Sequence, residues 1–484
     1  MIDKGVGQCV KSFVETYLKN HRDYFASVSK YIYEHPETRF EEYQSAAFLA
    51  AECEKQGFTV ERNVANMKTA FVASYGTGDP VIGFLGEYDA LSGLGQKPNA
   101  LKCEPDGKEN GHGCGHNLLG TGAFAAACAM KNYLEKNKLK GTVKFFGCPG
   151  EEGGSGKTFM VREGVFDHVD IALTWHPAPI NAIMSLSSLA NYQVYFRFKG
   201  TPSHAANTPH LGRSALDAVE LMNVAVNYLR EHVIEEARIH YAITNSGGVS
   251  PNVVQANAEV LYLIRAPKIS DVDRIYQRIC KIAQGAALMT ETDVSIHFDK
   301  ACSNYIPNRH LEKILYDQFV ETGVETFTDK EMAFAKQMWN TLSNEEKTNF
   351  LDMAKGFGYH GDGKEFEGKY LADTISPYVP SQEILKGSTD VGDVSWVVPT
   401  AQLSCATAVL GTSLHSWQMT AQGLTSIANK GMIRAAQALA LTGLHILQNP
   451  ADLQKIKEEF EQFKKENPYK CPIPQDVKPS KLKK

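Results

Sequence analysis

The sequence has no run approaching the roughly 18 consecutive apolar residues of a membrane helix, which excludes a helical span. Its start is polar and acidic rather than charged and then apolar, so no secretory leader is expected. Neither charge sign is in large excess. Lys and Arg number 50 against 55 Asp and Glu, a net charge of -5, which argues against a general nucleic-acid partner. Ten cysteines are scattered from Cys9 to Cys471 without a framework spacing, which excludes a disulfide-stapled design. Reduced thiols in a cytoplasmic setting are expected instead. What remains is an ordinary globular composition, 43% hydrophobic and 22% charged. At 484 residues one core usually splits, so two domains are expected.

The chain turns on Gly111-His112-Gly113-Cys114-Gly115-His116-Asn117. Thiolate and neutral imidazole are ligands for a borderline-soft divalent metal. Glycine lets the backbone bend until neighbouring side chains converge. No second Cys-x-x-Cys or His pair follows at finger spacing, so the heptad alone is no zinc finger and reads equally as a flexible loop. Other ligand-type residues elsewhere in the chain tip the balance.

Residues 10–56 read as helix, broken at His35-Pro36-Glu37, where proline restricts the residue before it. His35 is read as a packing residue. Three strand-like runs follow, and each ends abruptly in groups that bind metals or move protons. Residues 81–85 run into Glu87 and Asp89, residues 142–146 into Glu151 and Glu152, and residues 170–175 into His176. An alanine-rich helix over 118–137 lies between the first two. Strands alternating with helices predict an α/β fold with a mostly parallel central sheet flanked by helices. The site then lies outside the carboxyl ends of the strands. From about residue 189 the order becomes β-α-β-β-α-β, the ferredoxin-like unit. It reads as a domain inserted into the first. The expected boundaries are 1–188 and 303–472 for the two parts of the sheet domain, 189–302 for the insert, and 473–484 for a polar tail. The middle of the segment 311–380 is glycine-rich and reads as a surface loop. A last strand over 403–410 leads to His415, and a helix over 427–447 packs back on the sheet. The lysine-rich tail reads as disordered.

Adjacent carboxylates at Glu151 and Glu152 point differently, so one can bind a metal while the other serves as general base. A solvated acidic turn would be the plainer reading without the Cys/His cluster. Gly153-Gly154-Ser155-Gly156-Lys157-Thr158 imitates a phosphate loop, but its first glycine would fall at Glu151. Carboxylates there repel phosphate, and nucleotide binding is rejected. His176 and His415 each follow a strand, and two such cases in the sheet domain favour ligands over structural histidines. His204 lies in the inserted domain, from which a fixed imidazole could reach a site across an interface and stabilise an oxyanion.

Six motifs together resemble the metal-dependent aminoacylase and carboxypeptidase family, in its indole-acetyl-amino-acid hydrolase branch. They are Gly86-Glu87-Tyr88-Asp89-Ala90-Leu91, His112-Gly113-Cys114-Gly115-His116, Pro149-Gly150-Glu151-Glu152-Gly153-Gly154, Trp175-His176-Pro177, Ser203-His204-Ala205-Ala206 and Leu414-His415-Ser416. Residues 111–120, 158–166 and 388–396 carry a narrower resemblance within the branch. The resemblance implies a di-metal amidohydrolase whose inserted domain is a dimerisation domain and lid. It implies two divalent ions per chain, zinc or manganese, held by Cys114, His116, Glu152, His176 and His415. Cys114 stands where other branches have a bridging carboxylate. Asp89 would orient a ligand, and Glu151 would be the general base. His204 would act from the partner subunit, while Asn252 and Arg265 would hold substrate polar groups across the same interface. The implied substrates are N-acyl amino acids, with dipeptides as an alternative. The implied assembly is a homodimer or a heterodimer with a homologous subunit, and a subunit active only beside its partner stays open. Asn117 and Glu87 depart from the aspartates usual in the branch.

Overall fold

The structure is a computed structural model that describes residues 4–482. Its centre is a seven-stranded sheet. Across the sheet the order is Thr59–Arg62, Phe71–Thr77, Gly141–Cys148, Val81–Glu87, Ile171–Ala178, Thr400–Ala406 and Ala182–Ile183. The four strands from Gly141–Cys148 to Thr400–Ala406 run parallel, and the pairings outside them are antiparallel. This is the mostly parallel sheet expected from the alternation of strands and helices. The central strands read as continuous apolar runs because both faces are covered. The helices His116–Asn137 and Ser426–Gln448 cover one face, with Ala123, Phe124, Ala435 and Leu439 fully buried between them and the strands.

The N-terminal helical stretch is three helices, Lys4–Asn20, Arg22–Glu34 and Tyr43–Lys55. The break after Glu34 falls at the anticipated His35-Pro36.

The insert forms its own four-stranded antiparallel sheet, in the order Arg238–Asn245, Asn257–Ala266, Ala190–Lys199, Asp293–Cys302. Helices Ala215–Leu229 and Ile269–Thr290 pack on one face of it. The β-α-β-β-α-β order and this strand arrangement match the ferredoxin-like unit read from the sequence. Ser214 caps the first helix by accepting the Asp217 N–H. Val194, Phe196, Val260, Tyr262 and Ile264 alternate into the helix-covered face.

Two expectations fail. The glycine-rich stretch 356–368 is not a surface loop. Phe357, Tyr359 and Phe366 are buried with Ile180, Met184 and Leu410 in a small apolar core beside the sheet rim. Three aromatics outweigh the local glycines once a neighbouring apolar surface is available to them. The C-terminal tail is not disordered through residue 482. Ile473 is buried, and Arg162 Nη1 donates to the Pro474 and Val477 carbonyls at 2.8 Å each. Ser480 Oγ donates to Asp299 at 2.7 Å. Lys478 and Lys481 face outward while Ile473 and Val477 supply the contact, a pattern that a charge count conceals. Among the described residues no helix is long and apolar enough to cross a membrane.

Removing residues 473–484 should destabilise the protein by about 2 kcal/mol, the value of burying one large aliphatic side chain. A lowered midpoint in thermal unfolding checks this, and an unchanged midpoint would show that the docked tail adds nothing.

Candidate metal centre

Four parallel strands bring their carboxyl ends to one rim. Val81–Glu87 delivers Glu87 and Asp89. Gly141–Cys148 leads into Glu151 and Glu152. Ile171–Ala178 carries His176, and Thr400–Ala406 leads to His415. The heptad wedges between them. Gly115 has φ 76° and precedes the helix His116–Asn137. A Cβ there would stand 2.9 Å from the Pro177 Cβ, so only glycine lets Cys114 approach the His176 strand. His112 turns away, with Nε2 3.0 Å from the Ile32 carbonyl.

The donor atoms form three overlapping groups, each with its atoms within 4.8 Å of one another: Cys114, His116 and His176; Cys114, Glu152 and His415; Glu87, His116 and Glu151. Cys114 belongs to two of them. Its Sγ lies 3.5 Å from His176 Nε2. Asp89 braces the cluster. Its Oδ1 lies 2.8 Å from His116 Nδ1, and its Oδ2 accepts the Glu152 N–H at 2.7 Å. With Nδ1 carrying the proton toward Asp89, the His116 Nε2 lone pair faces the other donors. His176 is arranged alike, its Nδ1 2.8 Å from the Pro177 carbonyl.

The residues fit a bound cation. His116 Nε2 and Glu152 Oε1 are buried without a hydrogen-bond partner. They do lie 3.3 Å from Glu87 Oε2 and 3.2 Å from His415 Nε2, within ion-pairing range. Proximity without hydrogen-bond geometry is what converging ligand lone pairs present when a metal is their common partner. Thiolate, imidazole and carboxylate together suit zinc, and the carboxylates also suit manganese.

Charge is crowded here. Burial, then Glu87, Glu152 and Asp390, push the Glu151 carboxyl well above its usual range. Burial would raise Glu152 too, but the His415 and His116 imidazoles beside it hold it down at about 2. Lys157 is fully buried, with Nζ 2.6 Å from both Glu87 Oε1 and Asp390 Oδ1. Burial disfavours its charge, yet these two carboxylates outweigh that and hold it protonated.

The structure brings Cys114, His116, Glu152, His176 and His415 together at the rim, with Glu151 in a donor group beside Glu87 and His116, and with Asp89 hydrogen-bonded to His116 and to the Glu152 backbone. The residues of the insert divide. His204 and Asn252 are exposed and sit together, the Asn252 carbonyl accepting the Ala205 N–H at 3.0 Å. Neither lines the cavity of its own chain. Arg265 does, so it does not wait for an interface to reach the site, contrary to the expectation. The strand Asn257–Ala266 carries it there directly. The cavity measures about 770 Å³ and lies between the metal rim and the open face of the inserted sheet. Asn117 plays no part in the cluster. Its Nδ2 donates to Ser29 Oγ and the Gly423 carbonyl, at 2.9 and 3.2 Å, which ties the helix start to its neighbours. Glu87 faces His116 and Lys157, so its longer side chain reaches the cluster itself. Sequence reasoning missed Lys157 and Asp390. The phosphate-loop imitation drew attention to the lysine but gave it no partner, because Asp390 lies far along the chain.

The model of peptidase family M20/M25/M40 matches residues 83–472. The narrower resemblance carried by residues 111–120, 158–166 and 388–396 is to the B subunit of p-aminobenzoyl-glutamate hydrolase. In agreement, the chain is 53% identical over 481 residues to the B subunit of the p-aminobenzoyl-glutamate hydrolase of Escherichia coli (strain K12), covering 98% of this chain and 100% of that protein. Two solved structures share the fold. The aminobenzoyl-glutamate utilization protein from Klebsiella pneumoniae has a TM-score of 0.59 at 16% identity, covering 89% of this chain and 98% of that one. A dinuclear metal binding peptidase of the M20 family from Bacillus subtilis has a TM-score of 0.51 at 16% identity, covering 90% and 99%.

Because Cys114 is common to two donor groups, Cys114→Ala should lower bound divalent metal from about two ions per chain to below one. His415→Ala touches one group and should leave about one. Elemental analysis after gel filtration reads both, and equal retention in the two variants would refute a shared thiolate.

Proposed function

The chain belongs to peptidase family M20/M25/M40, and from that premise we propose that it is a di-metal amidohydrolase cleaving p-aminobenzoyl-glutamate to p-aminobenzoate and glutamate. The observation that carries this reading is a thiol shared by two donor groups, beside a partly buried carboxyl that its acidic neighbours and burial hold above the usual range. The name of the relative at 53% identity supports the substrate. The proposed ligands are Cys114, His116, Glu152, His176 and His415, with Asp89 fixing His116 and the Glu152 backbone. Divalent ions held there, zinc or manganese, supply a polarised amide carbonyl and a water with its pKa lowered to about 7.

The chain's own groups do the rest. Glu151 takes a proton from the attacking water and returns it to the leaving nitrogen. A carboxyl raised above its ordinary range by burial and by Glu87 and Glu152 holds that proton more firmly than an exposed carboxylate would. Arg265 lies in the cavity and pairs with a carboxylate of the substrate. The buried Lys157 holds Glu87 in place against His116.

His204 and Asn252 reach a cavity only as part of a second chain. The inserted domain offers a surface for one. Val224 and Tyr228 on its first helix, and Tyr241 and Ile243 on its edge strand, are exposed. Exposed apolar residues next to an unpaired strand edge suit subunit contact. We propose a dimer through this face, with His204 donating to the oxyanion in the partner's cavity. A second reading follows from the relative's being one subunit of a hydrolase: the chain acts only beside a homologous chain. A cytoplasmic setting accords with the ten free cysteines.

The deciding assay incubates the chain alone, loaded with manganese or zinc, with p-aminobenzoyl-glutamate and a panel of N-acyl amino acids and dipeptides. Release of p-aminobenzoate supports the reading. Preference for another acyl amino acid keeps the mechanism and discards the substrate. Silence across the panel favours the two-chain reading. Glu151→Gln should keep its metal and lose about 10²–10⁴ in kcat; retained turnover would remove Glu151 as the base. Mixing His204→Ala with Glu151→Gln should restore part of the activity through mixed dimers. No recovery after confirmed subunit exchange would count against a histidine acting in the partner.

A further inference from the structure

The inserted sheet contributes a second cation to the cavity wall, and a backbone irregularity puts it there. Along the strand Asp293–Cys302, Val294, Ile296 and Phe298 face the helices. Strict alternation would send Lys300 the same way. The pairing shows why it does not go. Val194 stands opposite Phe298, but the next residue back, Gln193, stands opposite Lys300. Asp299 is the extra residue of a β-bulge, and past it the facing of the strand reverses. Directly opposed residues share a face, so Lys300 lies on the cavity side with Gln193.

The bulge residue is fully occupied elsewhere. Asp299 Oδ2 accepts from Arg39 Nη2 at 3.2 Å and from Gln193 Nε2 at 2.8 Å, while Oδ1 accepts from Ser480 Oγ at 2.7 Å. Lys300 itself is only 8% exposed. Among the described residues no carboxylate oxygen lies within 4.0 Å of its Nζ. The Nζ lies 3.9 Å from where a Cβ on Gly153 would stand, so it overhangs the Glu151–Gly153 turn. Burial, with Arg39 nearby, pulls its pKa down, while Cys302, Glu151 and Asp299 act the other way. Its stem is buried while its ammonium faces the cavity, where a ligand's negative charge can complete it.

Arg265 is the other cation on this wall. It stands opposite Asn191, one strand to the other side, and its Nε is buried without a partner. The two cations therefore flank the strand Ala190–Lys199 from opposite sides, about 9.5 Å apart laterally. Both side chains are long enough to lean toward one ligand. A leaving amino acid with two carboxylates meets both.

We propose that Lys300 receives the side-chain carboxylate of a dicarboxylic leaving amino acid, while Arg265 holds its α-carboxylate. This rests on the amidohydrolase reading above and adds a specificity-determining residue to it. The leaving amino acid is then acidic, of the glutamate type, and its neutral amide is discriminated against.

The test compares p-aminobenzoyl-glutamate with p-aminobenzoyl-glutamine on metal-loaded protein. The ratio of their kcat/KM values should fall about tenfold to a hundredfold in Lys300→Gln, the worth of one charge-assisted hydrogen bond. Lys300→Arg should recover most of the ratio. An unchanged ratio overturns the proposal, including the case in which both substrates lose equally. Calorimetric binding of glutamate against glutamine reads the same contrast without turnover. A wild-type preference for glutamate that Lys300→Gln abolishes sustains the carboxylate site even if neither amide is cleaved, and only the reaction reading then falls. Should Lys300→Gln fail to fold, the wild type still decides: glutarate must bind more tightly than butyrate by a similar factor, and equal binding overturns the assignment.

Discussion

The burial of several acidic groups at one sheet rim is the constraint on which the site depends. Glu87, Asp89, Asp390 and the thiol of Cys114 are buried, and Glu151 and Glu152 are mostly so. Two like charges 4 Å apart repel by about 4 kcal/mol at an effective dielectric of 20. Such a group folds only if something compensates it. One compensation is built in: the ammonium of Lys157 sits between Glu87 and Asp390. Another is backbone, since Asp89 accepts the Glu152 N–H. These do not reach Cys114, Glu152 or the free Nε2 of His116. The uncompensated remainder is the donor set itself, which is why a cation belongs there.

The same balance explains the surroundings. Lys157 can be buried only because Asp390 returns from the far end of the chain to meet it. Asp390 precedes the short helix Val391–Val397, and Asp393 on that helix accepts from Thr158 Oγ1, Ser303 Oγ and Tyr469 OH. Thr158 follows Lys157, Ser303 follows the last inserted strand, and Tyr469 precedes the docked tail. One short helix thus ties the metal rim, the junction after the last inserted strand and the segment leading into the docked tail together. A buried carboxylate with three hydroxyl donors is satisfied, where one with fewer would be a liability.

Much of this was legible in the sequence. Apolar runs ending in Asp89, Glu151, Glu152 and His176 pointed to the parallel sheet and its functional rim, because a buried parallel strand must be apolar until it leaves the sheet. Local order also revealed the inserted unit. What stayed hidden depended on contacts between distant segments. Lys157 looked like part of a failed phosphate loop, and nothing nearby announced Asp390. The aromatics at 357, 359 and 366 and the apolar residues at 473 and 477 were masked by polar neighbours. Lys300 was hidden most completely. Its strand alternates regularly up to Phe298, and a bulge leaves no mark in composition or period. Only the pairing with Gln193 shows which face it takes.

The placement of the cavity's cations bears on how the inserted domain works. Arg265 and Lys300 lie on the sheet face of the same chain, whereas His204 and Asn252 lie on a loop surface outside that chain's cavity. A single chain can therefore assemble its cationic wall against its own metal rim. It cannot by itself bring His204 to that rim in the arrangement observed. In the proposed dimer, binding of charged substrate groups and completion of the oxyanion site thus fall to different copies of the same domain. In that dimer ground-state recognition would need one chain, and the imidazole that matters most as charge develops would come from the other. On this division an isolated chain would still bind an acidic N-acyl amino acid while turning it over poorly. Subunit association then governs kcat more than substrate affinity.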